Sequence, residues 1–270
     1  MSVTEVPELQ IELAPAAEAI ERVGRKLADL LTHAEEPDRA VAGLEWTLAD
    51  LASHLAARTE LFAAFLAGSA MPEGEIAGIA AENQRHIRER RDCPFGDHVE
   101  ELRSNVATFV ATTRGKLGAD PFPWYSGITL DVATASGLLL GELIVHVYDA
   151  ARTLGRPWPI AANDARTVIR AAAALAPWYV DLDATRGDRA TYRIAVRGGP
   201  VFRVRVDDGV ASVESADGDA ACTIRADPSA LLLVSYGRIS LWRAFAKGKL
   251  LATGRRPWRA LRFERSFLPP

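Results

Sequence analysis

The sequence predicts an α+β fold made of two domains. A helical bundle is expected over residues 1–185, followed over residues 186–270 by a small α/β domain with a mostly antiparallel sheet. Apolar residues recur at helical spacing up to about residue 185, and beyond it they alternate with polar residues as they do in strands. The length of 270 residues also favours two domains over one, because a domain usually has roughly 100–200 residues.

The composition is that of an ordinary globular protein. Hydrophobic residues make up 49% of the chain and charged residues 25%, which is enough apolar material for full-sized cores. The net charge of -3 gives no general attraction to nucleic acid or to anionic membranes. We therefore expect small-molecule partners and neither a nucleic-acid nor a membrane partner.

The cysteine content and the N-terminal segment predict a cytoplasmic protein. Cys93 and Cys222 are far apart in the chain, and two cysteines are too few for a disulfide framework, which fits a reducing compartment. The first residues contain acids and lack the basic-then-apolar order of a signal peptide. We find no continuous apolar stretch of the ~18 residues that a bilayer span needs.

Helical periodicity and end signals outline the first domain. Six helices are predicted, at about 9–33, 48–67, 73–91, 96–116, 130–154 and 163–180. Pro15 predicts a break or a kink early in the first of them. The second follows Thr47, which can cap it together with Asp50 three residues on. Prolines and aromatic residues predict a packed loop at 118–127.

The pattern after residue 186 predicts a hairpin and further strands. Residues 191–197 and 201–206 alternate apolar with mostly basic residues, and Gly198-Gly199-Pro200 between them predicts the turn. Additional strands are expected at 210–214 and 222–225, an edge strand at 249–253, and short helices after Asp227 and at 239–246.

One helix carries a candidate metal-binding pair. Glu142 and His146 are four residues apart, so their side chains lie on one helix face within reach of one ion. Leucines and a valine continue that face, which places the pair on the buried side. A buried carboxylate costs several kcal/mol unless it is paired, and a metal ion or a protonated histidine would relieve that cost. A simple ion pair and a metal site are therefore both open interpretations.

His54 is a second candidate ligand. It lies seven residues after Thr47 on an otherwise apolar helix and shares a face with Leu51 and Leu55, so it should point inward. Two histidines and one carboxylate leave a divalent ion with open positions, as in catalytic sites. Zinc, nickel and iron are all compatible with this ligand set. The alternative interpretation is a core histidine that binds no ligand.

Motifs along nearly the whole chain resemble those of one family. Residues 46–55 contain the pattern WTxxDLxxHL, and residues 141–149, at the start of the similar stretch 141–160, contain GExxxHxxD. In the C-terminal part the matching stretches are DAACTIRAD, YGRISLWRA and the segment from GKL to GRRPW. With these motifs the sequence resembles the mycothiol-dependent maleylpyruvate isomerase family. In that family a DinB-like, metal-binding four-helix bundle precedes a domain related to sterol carrier protein 2.

The resemblance implies a site and a reaction class. It implies a divalent metal, zinc in the first place, on His54, Glu142 and His146, with mycothiol as the thiol cofactor. The reaction would be an isomerisation or an S-transfer on a small, electrophilic and anionic substrate. The family's Asp on the next turn matches Asp149, which would orient His146 or manage a proton. The alternative for Asp149 is an exposed carboxylate at the helix end.

An anionic substrate needs cations, and the C-terminal stretch supplies many. Between residues 238 and 265 nine basic residues accompany one acid, Glu264. The nine are Arg238, Arg243, Lys247, Lys249, Arg255, Arg256, Arg259, Arg262 and Arg265. We predict that Arg238 faces the bundle as a catalytic residue and that Arg243 binds the cofactor, because guanidinium groups suit carboxylates. Asn83 is a further candidate for cofactor binding, and Arg90 lies on the same polar helix. A solvated surface is the alternative for all four.

Other functions stay open at this point. The C-terminal domain could hold an apolar or acyl ligand while the bundle acts as a scaffold. Alternatively, the protein could be an inactive family member that acts through a protein partner. The basic stretch with Trp242 and Trp258 has the composition of a nucleic-acid surface, but no nucleic-acid motif accompanies it. A monomer and a homodimer are equally compatible with the sequence.

Overall fold

The computed structural model describes residues 6–268, so the first five residues of the segment assessed for a signal peptide lie outside it. Contacts divide the described chain into two compact units. One unit is Glu12–Pro159, and the other combines the described residues up to Ile11 with the chain from Ile160 onward. The predicted α+β class is confirmed, because the first unit is a helical bundle and the second carries a mostly antiparallel sheet.

Four long helices and one shorter helix build the first unit. They are α1 (Leu13–Thr32), α2 (Leu48–Ala67), α3 (Ile79–Glu89), α4 (Phe95–Thr113) and α5 (Val132–Thr153). α1 packs against α4 and α5, while α2 packs against α4, α5 and α3. The bundle is therefore α1, α2, α4 and α5, with α3 alongside α2. Buried leucines such as Leu27, Leu51 and Leu143 fill its interior and hold α2 beside α5.

α2 begins as the sequence predicts. The Thr47 hydroxyl accepts a hydrogen bond from the Asp50 amide at 3.1 Å, and the Asp50 carboxylate accepts one from the Thr47 amide at 2.9 Å. This reciprocal pair satisfies two amides that a helix start leaves unpaired. Gly68 ends the helix with a φ of 72°, a left-handed conformation that glycine adopts without steric cost. These ends fix where His54 lies along α2.

The start of α1 differs from its prediction. The helix expected from Leu9, with a break or kink at Pro15, instead begins at Leu13. Pro15 therefore lies in the first turn, where an amide has no intrahelical partner, and its ring does not interrupt the helix. The break predicted at Pro15 is wrong, and Pro7–Leu9 forms a separate 3-10 turn.

A small hairpin occupies part of the loop predicted at 118–127. β1 (Pro121–Pro123) pairs antiparallel with β2 (Thr129–Asp131), and Phe122 lies opposite Leu130. Both of these side chains are buried in the bundle. The sequence did not predict the strand, because two prolines in three residues argue against one. The hairpin leads directly into α5.

A five-stranded sheet forms the centre of the second unit, in the order β5-β4-β3-β6-β7. The elements are α6 (Ala162–Leu175), α7 (Leu182–Thr185), β3 (Arg189–Val196), β4 (Val201–Asp207), β5 (Val210–Ser215), β6 (Cys222–Ala226), α8 (Pro228–Ser235), α9 (Leu241–Ala246), β7 (Leu250–Thr253) and α10 (Ala260–Phe263). β3 and β6 are parallel, and the other neighbours are antiparallel. The predicted β3–β4 hairpin is confirmed, and the strand predicted at 249–253 is the edge strand β7.

α6 is grouped differently by the structure and by the sequence. It packs against α8 and against the turn Pro7–Leu9, and its residues Ile169 and Ala173 share a core with Tyr192 of the sheet. The division at residue 185 drawn from the sequence placed α6 in the bundle, whereas its buried apolar face places it with the sheet. It stays a prediction that residues 1–185 and residues 186–270 each fold as an independent domain.

α5 is long and apolar enough, by length and composition, to cross a membrane, although no continuous apolar stretch of that length stands out in the sequence. Its most apolar window is 83% buried inside the structure. Central helices of helical bundles have the same composition, so this feature alone is weak evidence for a membrane span. No second helix within residues 6–268 meets the same criterion.

The close approach of α1 to α4 gives a test of the packing. A Cβ on Gly24 would lie 2.8 Å from a Val106 methyl group. We expect Gly24→Ala to lower the free energy of unfolding by about 1 kcal/mol, because overpacking costs about 1–3 kcal/mol and the gain in helix propensity returns roughly 1 kcal/mol. Urea denaturation followed by circular dichroism measures this. The matched control is Gly96→Ala, whose new Cβ meets nothing within 4 Å. Equal stability of both variants and the wild type would contradict the prediction.

Candidate metal centre

Two helices bring the three predicted ligands together. His54 comes from α2, and Glu142 and His146 come from successive turns of α5. One Glu142 oxygen, Oε2, lies 3.7 Å from His54 Nε2 and 3.4 Å from His146 Nε2. One ligand atom from each residue lies within 4.8 Å of the others, a separation that one ion can bridge. The pairing across α2 and α5 therefore places the three side chains within reach of one ion; that they bind a metal stays a prediction.

The cluster is buried but reaches the surface at one point. His54 and His146 are 2% and 6% exposed, whereas the Glu142 side chain is 25% exposed. The Trp46 ring covers both histidines, with ring centroids 4.7 Å from His54 and 5.9 Å from His146. Imidazole and indole rings therefore enclose the cluster, and the partly exposed Glu142 side chain lies on its accessible side.

His54 provides the observation that tests whether a metal fits. Neither of its ring nitrogens has a hydrogen-bond partner in the described part of the chain, although both are buried. Such a group normally costs free energy unless it finds a partner. Burial lowers the pKa of His54 to about 4, so its imidazole is neutral near pH 7 and keeps a lone pair for a ligand bond. These features fit a divalent ion held by His54, Glu142 and His146.

Glu142 stays ionised although it is largely buried. Burial opposes its charge, but contacts with His146 and His54 and the nearby Arg58 guanidinium outweigh this effect and hold the pKa of Glu142 well below its usual range. Arg58 Nε lies 3.8 Å from Glu142 Oε1. Arg58 is not among the site residues predicted from the sequence. Its position four residues after His54 on an apolar helix was the signal that could have found it.

Asp149 orients His146 from the next turn of α5. Its carboxylate oxygen lies 3.2 Å from His146 Nδ1, and the residue is 1% exposed. The alternative of an exposed helix-end carboxylate is therefore wrong. Burial disfavours the charged imidazole, but Asp149 and Glu142 outweigh it and raise the pKa of His146. Because Asp149 holds Nδ1, the other nitrogen of His146 faces Glu142 and His54.

The remaining predicted site residues do not all join this cluster. Arg90 forms ion pairs with Glu101 and Glu60, so it ties α3 to neighbouring helices. Asn83 is half-buried on α3, and its Oδ1 has no hydrogen-bond partner among the residues described; a role in cofactor binding stays a prediction.

Two predicted arginines belong to the sheet-containing unit. Arg238 is half-buried and donates a hydrogen bond to the Tyr236 carbonyl at 2.7 Å. Arg243 is exposed on α9. Their predicted roles toward substrate and cofactor stay predictions.

The fold and the site define a class of protein, a helical bundle with a candidate His–Glu–His metal centre followed by a sheet-containing unit. The family described as "Mycothiol maleylpyruvate isomerase N-terminal domain" matches residues 16–151. This match spans about half of the chain, and the chain belongs to that family. The SCP-2 sterol transfer family matches residues 180–255. Both matches agree with the resemblance drawn from the motifs.

Solved structures support the same fold. The chain is similar to the crystal structure of the mycothiol-dependent maleylpyruvate isomerase, with a TM-score of 0.55 and 10% identity over 94% of this chain and 95% of that one. A histidine-to-alanine mutant of that enzyme gives a TM-score of 0.55 and 11% identity over the same shares. At such identities the likeness shows the fold alone. No curated protein matches the chain by sequence.

Removing one histidine should remove the metal. We expect about one equivalent of a divalent ion in the wild-type protein after reconstitution, and little in His54→Ala or His146→Ala, because two ligands hold an ion far more weakly than three. Elemental analysis after dialysis measures the content. The control is His33→Ala, an exposed histidine at the end of α1. Equal metal content in all four proteins would contradict the assignment.

Trp46 should report metal binding by fluorescence. Its ring is close to both histidines, so we expect Co²⁺, which quenches nearby indoles, to reduce the emission of the wild-type protein. We expect Trp46→Phe to lose more of this quenching than Trp158→Phe, the matched control in the same unit. Titration of each protein with Co²⁺ under native conditions makes the comparison. Identical fractional quenching in the wild type and Trp46→Phe would place the ion elsewhere.

Proposed function

We propose that this protein is a metal- and mycothiol-dependent enzyme that carries out an isomerisation or an S-transfer on a small, electrophilic and anionic substrate. The observation that carries the proposal is the His54–Glu142–His146 cluster in a chain of this family, with a buried imidazole that has no hydrogen-bond partner within the described residues. The alternative of an inactive member is weakened because all three ligands and the orienting Asp149 are present at short distances.

The ligand set supports zinc as the resident metal. Two imidazoles and one carboxylate are a usual set for catalytic zinc, which keeps a further position open. When bound there, the metal would coordinate the thiol of mycothiol and lower its pKa, which supplies a thiolate near neutral pH. That thiolate is the nucleophile that both an isomerase and an S-transferase require, so the two reactions differ only in whether the thiol leaves again.

The residues of this chain have separate tasks in the proposal. His54, neutral at pH 7, provides a nitrogen ligand that needs no deprotonation. Asp149 holds His146 in the orientation and tautomer that present Nε2 to the ion. Trp46 covers the histidines and excludes water from that side. The partly exposed Glu142 marks the side from which substrate would enter.

Two arginines of the sheet-containing unit and one asparagine of α3 are the proposed binding groups for substrate and cofactor. Arg238 and Arg243 are proposed to bind carboxylates of the substrate or the cofactor, because a guanidinium can donate two parallel hydrogen bonds to one carboxylate. Asn83 is proposed as a cofactor contact, because its buried amide oxygen lacks a partner within the described residues.

The function is tested by turnover with defined components. The zinc-loaded protein is combined with mycothiol and either maleylpyruvate or a panel of electrophiles, and product is followed by chromatography. We expect turnover to require both the metal and the thiol, and to disappear in the His54→Ala, His146→Ala double variant. Full activity in that double variant, or no thiol-dependent turnover by the metal-loaded protein with either substrate class, would contradict the proposal.

Asp149 gives a graded test. We expect Asp149→Asn to lower both zinc affinity and turnover by about 10–100-fold, the usual effect of losing a carboxylate that orients a histidine ligand. Competition with a coloured chelator measures the affinity, and the assay above measures turnover. The control is Asp92→Asn, an exposed position beyond α3. Wild-type affinity in Asp149→Asn would mean that the carboxylate does not orient His146.

A further inference from the structure

We propose that Arg58 is a positioning residue that holds one oxygen of Glu142 away from the metal position and so leaves a single oxygen for the ion. The inference rests on the proposed metal site and adds a residue outside the three ligands. Its basis is the way in which the contacts of the Glu142 carboxylate are divided between its two oxygens.

The two Glu142 oxygens have different partners. Oε2 lies 3.7 Å from His54 Nε2 and 3.4 Å from His146 Nε2, whereas Oε1 lies 3.8 Å from Arg58 Nε. Arg58 follows His54 by four residues on α2, so both side chains leave the same face of the helix. α2 thus presents a ligand to one oxygen and a cation to the other.

Arg58 is itself fixed in place. The residue is 2% exposed, and its NH1 group donates a hydrogen bond to the Tyr125 hydroxyl at 3.1 Å. That hydroxyl in turn donates to Glu82 at 2.5 Å. The guanidinium also lies 5.5 Å from the centre of the Phe62 ring and 5.8 Å from that of Tyr125, within the range of cation–π attraction. These contacts keep the guanidinium in place, so it would not move with the Glu142 carboxylate if that carboxylate rotated.

Tyr125 and Glu82 form a second layer behind the arginine. Burial, with Glu82 adding to it, raises the pKa of Tyr125 to about 12, so the phenol keeps its proton and acts as both acceptor and donor. The resulting row runs from Glu142 through Arg58 and Tyr125 to Glu82 on α3. It ties a polar helix outside the bundle to the carboxylate in its interior.

This arrangement has a chemical consequence for the site. A carboxylate can bind a metal through one oxygen or through both, and two-oxygen binding occupies a position that a thiol would need. Arg58 Nε lies at an ion-pair distance from Oε1, too long for a hydrogen bond, and its charge attracts that oxygen, so we expect Glu142 to offer Oε2 alone to the ion. A mere counter-charge would also stabilise the buried carboxylate, but it would not control how many oxygens reach the ion.

Cobalt substitution distinguishes positioning from simple charge balance, because Co²⁺ absorbs visible light more weakly as its coordination number rises. The metal-free protein and its variants are titrated with Co²⁺ without any thiol or substrate. We expect Arg58→Met to show weaker visible bands than the wild type at saturation, since both Glu142 oxygens can then bind. Arg58→Lys should keep the wild-type bands, because an ammonium group still pairs with Oε1. The matched control is Arg88→Met, at an exposed arginine of α3.

A second variant tests the same role if Arg58→Met does not fold. Tyr125→Phe retains the guanidinium but removes its hydroxyl partner, and we expect a smaller loss of band intensity in the same direction. If Arg58→Met folds, wild-type bands in that variant would overturn the positioning role alone; if it does not fold, wild-type bands in Tyr125→Phe would do so. A wild-type protein that binds no Co²⁺ would overturn the proposed function together with this inference.

Discussion

The largely buried, ionised carboxylate of Glu142 is the constraint on which the candidate site depends. A lone ionised carboxylate inside a helical bundle costs several kcal/mol, so its surroundings must supply compensation. Here α5 supplies His146 four residues on, and α2 supplies His54 and Arg58 across the helix interface. Charged and polar groups of both helices are therefore concentrated around this carboxylate. That concentration distinguishes a built site from scattered polar residues in a core.

The groups around Glu142 are not equally satisfied, and the difference points to chemistry. His146 Nδ1 lies beside Asp149, and Arg58 NH1 donates a hydrogen bond to Tyr125, although Arg58 Nε makes no hydrogen bond within the described chain. Neither ring nitrogen of His54 has a hydrogen-bond partner within the described chain, and the Glu142 carboxylate is 3.7 Å from Nε2. A core that needed only charge balance would gain by replacing such an imidazole with an apolar side chain. A neutral, buried imidazole beside an ionised carboxylate is instead the state that a divalent ion requires of its ligands.

In the second unit, the packing of apolar side chains, and not charge, determines which elements belong to the unit. α6 and the turn Pro7–Leu9 contribute residues to the sheet core, although the turn is distant from the strands in sequence. Helical periodicity alone assigned α6 to the bundle, because periodicity shows that a helix has an apolar face but not which surface covers it. β1 has the same limitation. Its two prolines argue against a strand, and the tertiary structure alone shows that Phe122 is buried against the bundle core.

Local chemistry in the sequence determined the helices, the Thr47 cap, the β3–β4 hairpin and the Glu142–His146 pair. Each of these depends on residues within about one helical turn or one strand pair, where spacing alone sets the geometry. The tertiary structure decided that His54 meets this pair, that Asp149 is buried, and that Arg58 and Tyr125 stand behind the carboxylate. Those outcomes depend on how far α2 is shifted along α5 and how the hairpin folds onto the bundle. Such offsets arise from the sum of many packing contacts, and no local spacing in the sequence records them.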